Sequence, residues 1–122
     1  MLHPDPIEIP AREPKVAADF LIRFCGFKKA PAGVAAKFDH SITLRYGSQK
    51  TGGLLIKVFQ SDSMAWMLPL NAGDSFVREL GRLSLLGEAR PNSRVFTKSD
   101  GQECCILEAP GGLLIRLTGK KK

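Results

Sequence analysis

The segment 64–87 constrains the fold more than any other, because an apolar run there leads directly into an amphipathic helical pattern. Residues 64–70 read Met-Ala-Trp-Met-Leu-Pro-Leu, so alternation places apolar side chains on both faces of a strand. A strand that is apolar on both faces is typical of a sheet covered on each side. Pro69 cannot donate to a β-ladder, so the strand is expected to end there or to lie at a sheet edge.

A helix is predicted over roughly 72–86, directly after this strand. Asn71 is a suitable N-cap residue, and Gly87 suits the C′ position at which helices commonly end. Arg78, Glu79 and Arg82 fall on the side of this helix that is expected to face solvent. Helical spacing relates four apolar residues on the other side, which are Phe76, Val77, Leu80 and Leu83.

Runs of alternating apolar residues before and after this helix predict β-strands. About four strands are expected before it, from runs that begin near residues 20, 42, 54 and 64, with a weaker run at 34–38. Three are expected after it, near 94–98, 103–108 and 113–118. Asp100-Gly101 is a strong hairpin signal, and a second turn is expected at 109–112. The expected order of elements is therefore ββββαβββ.

These elements predict an α+β fold. Few of the connections are long enough for the crossover that a parallel strand pair requires. We therefore expect one curved, mostly antiparallel sheet of about seven strands, with the single main helix packed on it.

The chain of 122 residues is long enough for one domain, which we expect to span 16–119. Residues 1–15 contain four prolines and are expected to form an extended or disordered arm. Residues 120–122 form a basic tail of three lysines. Without this tail the net charge of +6 is halved, so the remaining chain is only mildly basic.

Several features predict a cytoplasmic protein with no membrane partner. The longest purely apolar run has about seven residues, far fewer than the roughly 20 of a membrane span. The N-terminus has prolines and acids where a secretory signal has a basic start and an apolar segment. The three cysteines are odd in number, and Cys104 and Cys105 are adjacent, which favours reduced thiols over a structural disulfide.

Several motifs resemble catalytic, metal-binding or phosphate-binding sites, but each has a simpler structural interpretation. Asp39-His40-Ser41 contains the residue types of a hydrolase triad, but neighbours on a strand point to opposite faces, and no Gly-x-Ser-x-Gly turn is present. Adjacent Cys104 and Cys105 lack the spacing that lets two thiolates bind one zinc ion. The glycine-rich segment 47–53 is expected to form a hairpin loop, because a strand follows where a phosphate-binding loop needs a helix. No catalytic residue, metal ligand or cofactor is predicted.

A basic sheet face is the one functional pattern that the sequence suggests. Strand parity gives four strands one central cation each on the face opposite the core, and Phe59 shares this face. Sheets with cations and aromatic rings on an open face bind single-stranded nucleic acids. The sequence therefore predicts a non-catalytic binding domain, with non-sequence-specific nucleic-acid binding through Arg23, Arg45, Lys57, Phe59 and Arg116 as its favoured specific function. The same cations also fit an ordinary solvated sheet face, since outer strand faces commonly carry Lys and Arg.

Two other functions remain open. The same face carries Leu55, Phe59 and Leu114, which would suit a subunit contact in a homo-oligomeric adaptor or scaffold protein. A third possibility is an enzyme or small-ligand carrier with a pocket between helix and sheet, near His40 or Cys105.

Overall fold

The computed structural model describes residues 6–30, 41–47, 53–62 and 66–120. These residues contain two α-helices, α1 (Pro14–Phe24) and α2 (Phe76–Leu85). Nine strands accompany them: β1 (Ile7–Ala11), β2 (Lys28–Lys29), β3 (Ile42–Tyr46), β4 (Leu54–Gln60), β5 (Leu68–Asn71), β6 (Arg90–Pro91), β7 (Phe96–Thr97), β8 (Glu103–Ala109) and β9 (Leu113–Gly119).

The elements form two modules of the same kind, each with a strand, a helix and further strands. The first module, β1 to β4, forms a sheet of order β1-β4-β3-β2. The second, β5 to β9, forms a sheet of order β5-β9-β8-β6, with β7 also paired to β8. β1 runs parallel to β4 in the first sheet, and β5 runs parallel to β9 in the second. The other strand pairs are antiparallel. The α+β prediction is confirmed, but the single antiparallel sheet of seven strands with one helix and the order ββββαβββ are wrong.

The helix α1 occupies a region predicted as a strand. Pro14 lies in its first turn, where the missing N–H costs nothing, and the buried residues are Ala17, Ala18, Phe20 and Leu21. This burial has the period of a helix. The alternation of Phe20, Ile22 and Phe24 imitated a strand, but Ile22 is exposed.

The proline-rich segment expected as an arm contributes the strand β1. Ile9 and Ala11 are buried, and β1 pairs with β4 over the register Ile7↔Ile56 to Ala11↔Gln60. Pro10 is tolerated because β1 is an edge strand, where a missing N–H removes no sheet pairing on the outer side. The folded core therefore includes residues before position 16.

The strand predicted to begin near residue 64 begins later than expected, and its pairing is parallel where a mostly antiparallel sheet was expected. β5 begins at Leu68 and pairs in parallel with β9 through Leu68↔Ile115, so no hairpin joins it to β4. The predicted strand at 34–38, the His40 region and most of the loop 47–53 lie outside the described residues.

The helix α2 is confirmed in position but begins later than predicted. Asn71 does not cap it, because its Oδ1 atom accepts the N–H of Gly73 at 2.7 Å in a local turn. Ser75 occupies the N-cap position. At the other end, Glu88 and not Gly87 adopts a positive φ, of 58°. Gly87 is required by packing, since a Cβ there would lie 2.7 Å from the ring of Phe20.

Both modules share one hydrophobic core. Its buried side chains come from both sheets and both helices, as the burial of Val58, Leu107, Phe20 and Phe76 illustrates. The predicted turns at Asp100-Gly101 and at 109–112 are confirmed, since they join β7 to β8 and β8 to β9. No helix within the described residues is long and apolar enough to cross a membrane.

Candidate ligand pocket between the two sheets

A pocket with a volume of about 540 Å³ lies between the two sheets, and we name it the intersheet pocket. The first module contributes the end of α1 with the turn after it, the end of β3 and the start of β4. The second contributes β5, the segment after it, α2 and β9. The lining residues are Phe24, Cys25, Gly26, Phe27, Tyr46, Leu54, Pro69, Leu70, Asn71, Ala72, Ser75, Glu79, Arg82, Leu83 and Leu117.

One wall of the pocket is aromatic. The rings of Phe27 and Tyr46 have centroids 5.4 Å apart and are inclined by 57°, a favourable tilted arrangement. Phe27 is buried, whereas Tyr46 is 53% exposed at the pocket mouth. Gly26 has a φ of +77°, and a Cβ at this position would lie 3.2 Å from Cε2 of Tyr46. A glycine therefore permits both the turn after α1 and the position of the Tyr46 ring.

The polar side of the pocket is built on α2. Arg82 donates from Nε and from Nη2 to the same Glu79 oxygen, Oε2, at 2.9 Å and 2.6 Å. Nη2 also donates to the main-chain oxygen of Phe24, at 2.6 Å. Both side chains line the pocket, and they are only partly solvated, since about a third of Arg82 and a quarter of Glu79 is exposed. The guanidinium is therefore held by contacts from both modules.

Cys25 places a thiol in the pocket lining. Burial raises the pKa of this thiol to about 12, an effect that the nearby positive charge of Arg82 opposes and the negative charge of Glu79 reinforces. A thiol with such a pKa is protonated at neutral pH, and the thiol form is a poor nucleophile. Cys25 therefore contributes a soft, neutral surface to the pocket.

A second cleft, also formed by residues of both modules, has a different lining. The end of β1, the end of α2 and the β8–β9 turn surround it, and its side chains include Arg12, Glu88, Arg90 and Glu108. Arg12 and Glu108 form an ion pair at 3.4 Å with partly exposed side chains. Exposed pairs of this kind contribute little to stability. None of the described residues that line this cleft is aromatic, so the intersheet pocket is the better candidate ligand site.

The structure separates the residues predicted to form a basic sheet face. Arg23 lies on α1, and its guanidinium carbon is 5.4 Å from the ring centroid of Phe24. Arg45 lies in β3, and Lys57 and Phe59 lie in β4 of the first sheet. Arg116 lies in β9 of the second sheet. The premise that one sheet face carries all of them is incorrect, because the first is helical and the last belongs to another sheet.

The residues of the predicted subunit contact are also divided. Leu55 and Phe59 lie in the first sheet, whereas Leu114 is buried in the second. They do not form one continuous face. Self-association of the chain stays a prediction, and so does its cytoplasmic location.

The residues considered for chemistry lie away from the intersheet pocket or outside the described ranges. Cys104 and Cys105 are buried and free of disulfides, and His40 is not described. Within the residues that the structure describes, no group of three or more His, Cys, Asp and Glu side chains could hold a metal ion.

The sequence interpretation missed the pocket residues on α2 and at the end of α1. Glu79 and Arg82 were assigned to the solvent side of α2, because the pattern of one helix cannot show that a second helix approaches its flank. A usable signal was present in Phe24-Cys25-Gly26-Phe27, where a glycine interrupts an apolar run. It marks the end of a helix once α1 is recognised.

Comparisons with known proteins give structural likeness without sequence likeness. No family model matches the chain, and no curated protein matches it. A fosfomycin resistance protein from Listeria monocytogenes has a TM-score of 0.68 at 11% identity, with 99% of this chain and 95% of that chain covered. A lactoylglutathione lyase from Agrobacterium tumefaciens has a TM-score of 0.66 at 11% identity, covering 98% and 94%.

A possible glyoxalase from Bacillus cereus is similar as well, with a TM-score of 0.63 at 15% identity and coverage of 96% and 98%. These likenesses extend over both modules. The prediction of a non-catalytic nucleic-acid-binding sheet, with an adaptor as its alternative, is therefore wrong, because the fold is one found in proteins named for small molecules. The chain has the fold of glyoxalase-type and fosfomycin-resistance-type proteins.

Proposed function

We propose that this protein binds a small, largely apolar organic molecule in the intersheet pocket. The observation that carries the proposal is the lining, which combines aromatic and aliphatic side chains with a few polar ones, among them the Glu79–Arg82 pair. Ligand sites of proteins have this composition, because apolar walls supply affinity while a few polar groups fix the orientation.

The dimensions of the pocket support the proposal. Its volume of about 540 Å³ falls within the range of roughly 300–1,000 Å³ that small-molecule sites occupy. The pocket also lies where two modules meet, which is a preferred location for such sites. Tyr46 and Leu54 at the mouth are 53% and 41% exposed, an apolar exposure that a bound ligand would cover.

The comparisons support a small organic molecule as the ligand, without specifying its polarity. Three proteins with this fold are named for fosfomycin resistance, for lactoylglutathione lyase activity and as a possible glyoxalase. These names refer to small organic molecules. The third function considered from the sequence, a ligand carrier or enzyme with a pocket between helix and sheet, is therefore the one we adopt.

The ionisable groups of the lining present one neutral thiol and one ion pair to a ligand. The thiol of Cys25 is protonated at neutral pH, since burial raises its pKa to about 12. Glu79 accepts two hydrogen bonds from Arg82, which occupies one oxygen of the carboxylate. The proposal therefore concerns the binding of a ligand, whose orientation these polar groups can fix.

Titration with N-phenylnaphthylamine, an uncharged aromatic dye that fluoresces in apolar surroundings, tests this proposal. We expect saturable binding to the wild-type protein and at least tenfold weaker binding to Leu54→Arg, which places a cation at the pocket mouth. Leu85→Arg is the matched control, because Leu85 is 82% exposed on α2 and does not line the pocket. Equal binding to both variants, or loss only in Leu85→Arg, would overturn the proposal.

A further inference from the structure

The intersheet pocket contains two opposite charges that neutralise each other. Among the lining residues that the structure describes, Glu79 and Arg82 are the two with formal charges. Their closest atoms are 2.6 Å apart, which is the distance of a charge-assisted hydrogen bond. A ligand in the pocket therefore meets a strong local dipole whose net charge is zero.

The guanidinium of Arg82 is fixed by both its ion pair and the neighbouring helix. Nε and Nη2 donate to Glu79, and Nη2 also donates to the Phe24 main-chain oxygen. This oxygen lies in the last turn of α1, where carbonyl groups have no partner within the helix. Turning Arg82 toward an anionic ligand would leave this carbonyl and the Glu79 carboxylate without their donor, which is costly in a partly buried position.

We infer that the Glu79–Arg82 pair sets the charge preference of the pocket, so that uncharged aromatic ligands bind more tightly than anionic ligands of the same shape. The inference rests on the proposed function, since it concerns the ligand of the same pocket. An anion must compete with Glu79 for the guanidinium and is repelled by the carboxylate. An uncharged ligand meets neither cost and still covers Phe27, Tyr46 and Leu54.

Two fluorescent dyes with one aromatic skeleton measure this preference. N-phenylnaphthylamine is uncharged, and anilinonaphthalenesulfonate adds one sulfonate to the same ring system. For the wild-type protein we expect the uncharged dye to bind about tenfold more tightly, because one unpaired charge in a partly buried site costs on the order of a factor of ten. The ratio of the two dissociation constants is the quantity compared among variants, so a change in the folded fraction cancels.

Glu79→Gln keeps the shape of the side chain and removes its charge, which leaves Arg82 as an uncompensated cation. We expect the affinity for the anionic dye to rise about tenfold relative to the uncharged dye. Arg82→Gln leaves Glu79 alone and is expected to shift the ratio about tenfold in the other direction. Asp19→Asn is the control, because it changes the net charge by the same unit at an exposed position of α1.

The outcomes separate this inference from the proposed function. A ratio that moves in opposite directions in the two pocket variants and stays constant in Asp19→Asn supports it. Binding of the uncharged dye with an unchanged ratio in both pocket variants overturns the charge preference alone. If Leu54→Arg leaves the binding of both dyes unaffected, the dyes bind elsewhere, and the proposed function is overturned together with this inference.

Discussion

Arg82 of α2 donates a 2.6 Å hydrogen bond to the main-chain oxygen of Phe24, the last residue of α1. The two helices belong to different modules, so this bond connects the modules at the edge of the intersheet pocket. The acceptor lies at a helix C-terminus, where the free carbonyl groups and the helix dipole both favour a cation.

Arg82→Met should lower the free energy of unfolding by about 1.5–3 kcal/mol, the usual contribution of hydrogen bonds that involve a charged group. Urea denaturation would measure the change. Arg78→Met is the control, since Arg78 is exposed on the same helix and should change stability by less than about 0.5 kcal/mol. Equal losses in the two variants would show that the contact with Phe24 contributes nothing.

Gly26→Ala should destabilise the protein by about 1–2 kcal/mol, because alanine is strained at a φ of +77°. The added Cβ would also lie 3.2 Å from the Tyr46 ring and displace it, so dye binding in the pocket should weaken. Gly81→Ala is the contrasting variant. No atom lies within 4 Å of a Cβ at position 81, so alanine should stabilise α2 by about 0.5–1 kcal/mol. Thermal and urea denaturation would compare the two, and a stabilising Gly26→Ala would contradict this account.

Gly111→Ala should lower the free energy of unfolding more than Gly101→Ala, although the two glycines have similar backbone conformations. The φ angles are +83° and +85°, so an alanine at either position costs about 1–2 kcal/mol of stability because it must adopt the left-handed conformation. Position 101 is open, whereas a Cβ at position 111 would lie 2.5 Å from the Ala17 nitrogen at the start of α1. This overlap should cost a further 1–3 kcal/mol, roughly, in unfolding free energy. Equal losses in urea denaturation would mean that the β8–β9 turn does not pack against α1 as described.

The Cys25 thiol should make stability depend on pH in alkaline solution. Its pKa is raised by burial from 9.0 to about 12 in the folded protein. Below pH 9 the thiol is protonated in both states, and its contribution is fully present. Between pH 9 and about 12 the unfolded chain releases a proton that the folded chain retains, so the free energy of unfolding falls. Cys25→Ala should show a shallower fall over this interval, and parallel curves for the two proteins would refute the assignment.

How far the fold can be predicted from the sequence depends on the range of the interactions. Helix α2 and the hairpins at Asp100-Gly101 and 109–112 are specified by neighbouring residues, and they were predicted. Helix α1 was missed because Phe20, Ile22 and Phe24 also alternate with period two. The parallel pairs β1–β4 and β5–β9 join residues as distant as Ile7 and Ile56, and no local pattern encodes such a pair.

The pocket could not be predicted for a related reason. Its lining combines the end of α1, the mouth residues Tyr46 and Leu54, and one flank of α2. Each segment looks ordinary alone, and only the packing of one sheet against the other brings them together. Glu79 and Arg82 illustrate the limit, because a charged pair at this spacing is far more often a solvated pair on a helix surface.

The most direct test of the account is to record which backbone amide signals of the isotope-labelled protein shift in NMR spectra during titration with N-phenylnaphthylamine. If the pocket between the modules binds the dye, the shifted amides will include Gly26 and Tyr46 of the first module and Asn71 and Arg82 of the second. Shifts confined to one module, or centred on the exposed residues Leu85 and Phe96, would contradict a binding site built from both modules.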